Sequence, residues 1–146
     1  MNQQDSTRIG LTILRIVVGA AFLVHGLDKQ PLAFEPTVQM FMMWGMPAPS
    51  FTAMLAILLE LVGGALLIAG KLVRPVSLAL GAEMIVALFV VHLGAGFSFM
   101  QVRQITETGP VFELPGWEVN VFYMAAFACL ALAYPSPVTE SAERPG

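Results

Sequence analysis

The chain has 146 residues, 57% of them hydrophobic and only 12% charged, about half the charged share of an ordinary soluble domain. Most of its surface cannot face water, so it reads as a one-domain integral membrane protein. A net charge of −3 with seven basic residues excludes a nucleic-acid surface, and a single cysteine excludes internal disulfides and Cys-rich zinc or iron–sulfur sites.

A helix needs roughly 20 mostly apolar residues to cross the ~30 Å hydrocarbon layer. Four segments qualify in chain order: Ile9–Leu27, Phe51–Gly70, Pro75–Phe97 and Trp117–Tyr134. Residues 1–8 precede them as an N-terminal tail, residues 9–134 form the membrane domain, and residues 135–146 read as a mobile polar tail. The first segment carries Asp5 and Arg8 at its start and has no small-x-small cleavage site after Val24, so it reads as an uncleaved span. Between spans one and two, Val38–Trp44 reads as a short interfacial helix capped by Thr37 and ended by Gly45. Gly70 suits a helix C-cap and Pro75 the first turn of the next helix, which makes Gly70–Pro75 a tight hairpin. Residues 98–116 carry Arg103, Glu107 and Glu113 with breakers at Gly109-Pro110 and Pro115-Gly116, a surface loop placed to fold over the bundle. The expected fold is all-α: a four-helix transmembrane bundle.

An even number of spans puts both termini on one side. Arg8, Lys71, Arg74 and Arg144 fall on that side, against Lys29 and Arg103 on the other, so the positive-inside rule places both termini inside the cytoplasmic membrane.

Ionisable groups at bilayer depth are expensive and point to function or to a partner. Arg15, His25, Glu60, Glu83 and His92 stand within the spans. A rise of ~1.5 Å per residue puts Arg15, Glu83 and Glu60 at roughly 9, 12 and 15 Å from the inner end, close enough to form one polar cluster. Two carboxylates sharing one arginine cannot all ionise cheaply, so one is expected to carry a proton. Two readings stand: a network that ties helices together, or a proton relay beneath a substrate pocket. His25 and His92 lie toward the outer ends, at roughly 24–26 Å. They suit haem or metal ligation or the proton partners of a quinone head group, although no HxxxH spacing supports a metal and helix ends often carry interfacial histidines. Glu83 and His92 are nine residues apart, about 180° around an ideal helix, so they face one pocket only if the helix bends. Met40, Met42, Met43 and Met46 admit a Cu(I) reading, but flexible packing accounts for them more simply. Gly19-Ala20-Ala21 and Gly63-Gly64 suit close backbone approach, and Cys129 reads as a packing residue.

Leu14-Arg15-Ile16, leading to Phe22-Leu23-Val24-His25-Gly26 and Lys29, resembles the first span of the DoxX family. Trp44-Gly45-Met46-Pro47 ahead of Leu59-Glu60-Leu61-Val62-Gly63-Gly64, then Gly70 and Arg74, then Met84-Ile85-Val86-Ala87 with His92 and Gly96-Phe97, extend the likeness over residues 10–134. The resemblance implies a small four-helix membrane protein tied to membrane redox systems, in a family named for a subunit of quinone-linked thiosulfate oxidation. It carries over Arg15, His25, Glu60 and His92 as pattern positions and gives Glu83 no role. The resulting expectation is a quinone-linked redox subunit, with the Arg15–Glu60 pair holding the core, His25 and His92 nearest the redox ligand and Trp44 stacking on a head group. The expected partners are the lipid bilayer and an oxidoreductase subunit or a second copy. The alternative is a structural or assembly subunit without catalysis of its own.

Overall fold

The computed structural model describes residues 2–29, 34–98, 100, 102–112 and 115–135, and the chain is mostly helical. Among the described residues five α-helices run in the order α1 (Gln3–Asp28), α2 (Phe34–Met43), α3 (Pro49–Ala69), α4 (Val73–Ala87) and α5 (Glu118–Ala133). Three helical stretches among the described residues, Gln3–Asp28, Pro49–Ala69 and Val73–Ala95, are long and apolar enough to cross a membrane, while α5 is a shorter apolar helix. The C-terminal residues 136–146, read as a mobile tail, lie outside the described residues.

Helix α1 begins earlier than the apolar run that announces it. Asn2 caps it, its side chain accepting from the Asp5 backbone N–H at 2.8 Å while the Asp5 carboxylate accepts from the Asn2 backbone N–H at 3.4 Å. This reciprocal capping extends the helix through residues that the hydropathy pattern reads as tail. Gly70 closes α3 in the left-handed region at φ 73°, and its N–H donates to the Leu67 carbonyl at 3.1 Å. Pro75 then sits in the first turn of α4, as its missing N–H allows. The expected cap Thr37 instead lies inside α2, buried, because that helix starts at Phe34. Gly45, at φ 71°, follows the end of α2 as expected.

Helices α1 and α3 pack antiparallel at a glycine contact. A Cβ on Gly19 would lie 2.9 Å from the Gly64 carbonyl oxygen, and one on Gly64 would lie 2.7 Å from the Gly19 carbonyl oxygen. Only hydrogen fits there. Phe22, fully buried, meets Tyr123 and Phe127 of α5 edge-on at 5.1 and 5.0 Å, and Val18, Leu67, Leu80 and Leu130 complete the core around it. The outward surface is apolar too, with Val17, Leu55, Val62, Phe89 and Leu132 exposed. Cys129 is also exposed, not packed, because α5 turns Phe127, Leu130 and Ala131 inward instead.

Two features depart from the expected helices. Helix α4 continues as a π-turn over Leu88–His92 and a 3₁₀ turn over Leu93–Ala95. The segment expected as an irregular loop holds a β-hairpin, β1 (Val102–Thr106) and β2 (Gly109–Phe112), paired antiparallel with Ile105 opposite Pro110 and Thr106 opposite Gly109. The hairpin leaves the helices through a closed neck. The N–H groups of Gly116, Trp117 and Glu118 donate to the carbonyls of Ser98, Gly96 and Phe97, each at 3.0 Å. Beyond the neck Ile105 is 83% exposed, so the hairpin stands off the bundle rather than covering it.

Candidate functional site

The glycine contact sets the register between α1 and α3, and the register decides which charges meet. Arg15 falls beside the last turn of α3, where its Nη1 donates to the Leu67 carbonyl at 2.9 Å and its guanidinium fills the space a side chain at Gly70 would need. An arginine there satisfies an end-of-helix carbonyl and opposes the negative end of the helix dipole. Lys29, the C-cap of α1, lies about 21 Å further along the helix axis. Its Nζ donates to Glu60 Oε1 at 2.5 Å. The expected Arg15–Glu60 pair does not form. Lys29 takes the place assigned to Arg15, because the helix register and not the rise per residue controls the match.

Glu60 is 3% exposed, in the middle of α3. Leu80 of α4 packs against Gly63 of α3, where a Cβ would lie 3.3 Å from its Cδ1, and one turn further along the pair the same alignment brings Glu83 toward Glu60. Glu60 Oε2 and Glu83 Oε2 are both buried without a hydrogen-bond partner. Asn120 of α5, also buried, donates to the carbonyl of Met84, the residue after Glu83, at 3.3 Å and leaves its Oδ1 unpartnered. The direct ion pair is therefore Lys29–Glu60, and Arg15, expected in the same cluster with Glu60 and Glu83, instead bonds the Leu67 carbonyl. Sequence reasoning counted Lys29 as a loop cation, although a lysine at the end of a span can reach back along its helix toward a buried acid.

The two histidines are held separately near the start of α5. His25 is exposed on α1 and meets Phe22 edge-on at 6.1 Å, the ring that also touches Tyr123. His92 closes the π-turn, its Nδ1 2.6 Å from the Pro115 carbonyl oxygen. A carbonyl only accepts, so Nδ1 is the donor, and the neutral ring keeps its lone pair on Nε2. The wider π-turn also delays the rotation of the chain, which moves His92 away from the position opposite Glu83 that an ideal helix would give it. No hydrogen bond or ring contact among the described residues joins the two histidines. Trp44 stacks at an angle on Phe41, with ring centroids 5.8 Å apart, at the far end of α2.

A shallow groove of about 380 Å³ opens at the first turns of α5, lined by Glu118, Val119, Phe122 and Tyr123. Its walls are largely apolar, with Glu118 and Tyr123 among the residues that line it. Among the described residues no group of three or more His, Cys, Asp and Glu side chains could hold a metal ion.

Comparisons with known proteins agree with the pattern of residues. A protein of Bacillus subtilis (strain 168) named "Putative oxidoreductase CatD" is 38% identical over 92 residues, which is 63% of this chain and 66% of the relative, just under two thirds of its length. No solved structure matches the chain. The DoxX family matches residues 10–93, from the start of the α1 apolar run to the residue after His92, and the chain belongs to that family.

Proposed function

We propose that this chain is a four-span protein of the cytoplasmic membrane, with both termini inside, that serves as a quinone-linked component of a membrane oxidoreductase system. The three long apolar helices supply three crossings. Helix α5, 16 residues or about 24 Å long, supplies a short fourth, which a bilayer accommodates by thinning around it. Arg8, Lys71 and Arg74 belong to the end of the bundle where α1 begins and α3 turns into α4, and Arg103 belongs to the hairpin at the other end. That asymmetry supports the inside assignment of the termini.

The observation that carries the quinone reading is the groove at the start of α5. A quinone needs an apolar slot for its tail and one or two protonatable groups at its head. Val119 and Phe122 offer the slot; Glu118 and Tyr123 offer the groups. His25 shares the Phe22 ring with Tyr123, and His92 holds Pro115, three residues ahead of Glu118. The oxidoreductase name of the Bacillus relative supports a redox role.

Native mass spectrometry of the protein in mild detergent tests this reading. The wild type retains a quinone, and Val119→Trp, which fills the groove, releases it. A bare protein in two different detergents would overturn the proposal and leave a structural or assembly subunit as the better description.

A further inference from the structure

The Lys29–Glu60–Glu83 cluster contains two acids and one base. Lys29 and Glu60 cancel each other through their direct contact, and among the described residues no base is paired with Glu83. Among the described residues, Lys29 comes to the cluster from α1, Glu60 from α3 and Glu83 from α4, while α5 brings the neutral Asn120 beside Met84. Arg15, the next cation, is engaged about 21 Å away along α1 by the Leu67 carbonyl. Two unpartnered carboxylate oxygens, Glu60 Oε2 and Glu83 Oε2, are thus buried in one electrostatic neighbourhood that carries an uncompensated negative charge when all three groups ionise. In an apolar setting such a charge must be neutralised, by a proton or by a bound cation. The ammonium already placed on Glu60 disfavours a second metal-sized cation beside it and leaves the smaller partner.

We propose that Glu60 and Glu83 bind one exchangeable proton between them, with Lys29 as the fixed counter-charge. One carboxylate takes up a proton to become a neutral carboxylic acid and returns it as a carboxylate; no electron moves. Lys29 stands at the end of α1, with its side chain 28% exposed, so it links the buried acids to the edge of the bundle. The site depends on the membrane reading for its depth but not on quinone binding.

Infrared spectroscopy of the full chain in lipid nanodiscs, near neutral pH, tests it. A protonated carboxylic acid gives a C=O stretching band that ionised surface acids do not, and the band shifts when H₂O is exchanged for D₂O. The wild type should show one such exchangeable band. Glu83→Gln should abolish it, since one acid and one base remain. Glu60→Gln should abolish it as well, because Lys29 is then left with Glu83 alone. Lys29→Met should roughly double the band, since two acids then have no base. A band that survives both glutamine variants would place the proton elsewhere and overturn the proposal. So would a wild type with no band, since the pair would then be neutralised by a cation. If Glu60→Gln fails to fold, Glu83→Gln, which breaks no ion pair, carries the test with the wild type.

Discussion

Gly19 and Gly64 meet backbone to backbone, so each leaves the other no room for a methyl group. Replacing either with alanine forces α1 and α3 apart, and overpacking of this kind costs about 1–3 kcal/mol. Gly94, with nothing within 4 Å of its would-be Cβ, provides the matched control. Thermal unfolding in detergent should show Gly19→Ala and Gly64→Ala clearly destabilised and Gly94→Ala close to wild type. Equal melting temperatures for all three would refute the close crossing.

Lys29 and Glu60 should not be equally costly to remove. Lys29→Met strands Glu60 in the apolar interior, where it must take up a proton of its own to stay buried, whereas Glu60→Gln leaves a lysine that can turn toward the edge of the bundle. Breaking a fully buried pair costs about 3–5 kcal/mol, and the partial exposure of Lys29 reduces that to about 1–3 kcal/mol here. Lys29→Met should be the more damaging single change, and adding Glu60→Gln to it should recover part of the loss.

Arg15 acts on a different structure. Its loss removes a donor from the final turn of α3 and a favourable charge from the helix end, worth about 1–2 kcal/mol. Because Arg15 and Glu60 do not touch, the effects of Arg15→Gln and Glu60→Gln should add to within about 0.5 kcal/mol. A double-mutant cycle with coupling well above that value would restore the Arg15–Glu60 pair.

His25 meets Phe22, whose ring also meets Tyr123 of α5, and His92 bonds Pro115 just ahead of α5, so the proposed quinone role predicts that each contributes separately. Replacing both should abolish quinone-linked turnover, while each single change leaves part of it. His92→Asn separates two jobs: an amide can still donate to the Pro115 carbonyl but offers no ring lone pair. The neck between α4 and α5 should therefore stay folded while activity falls. Unchanged turnover in the double variant would remove the histidines from the site.

Much of this arrangement is legible in the residues. Long apolar runs announce α1, α3 and α4, Gly70 and Pro75 announce the turn between α3 and α4, and the paired small residues announce the close crossing. What stays hidden is relative: the register of one helix on another is set by the fit of Gly19 against Gly64, so rise per residue alone pairs Glu60 with the wrong cation. The hairpin is missed for a local reason. Gly109 and Pro110 look like breakers, yet Gly109 takes φ 123° as the chain leaves the two-residue turn, and Pro110 sits in an edge strand that tolerates a missing N–H. The π-turn leaves no mark in hydropathy, because Leu88, Phe89, Val90 and Val91 suit either kind of helix equally well.

The outward position of Cys129 makes the unaltered chain a ready-labelled specimen. It is the only thiol in the sequence, it is exposed, and Leu132, 87% exposed, lies one turn further along the same helix. A nitroxide or solvent-sensitive dye attached there reports from one defined point on α5. Its quenching by lipid-soluble oxygen, compared with a water-soluble metal chelate, measures how deep the shortest helix sits without a single residue having to be changed.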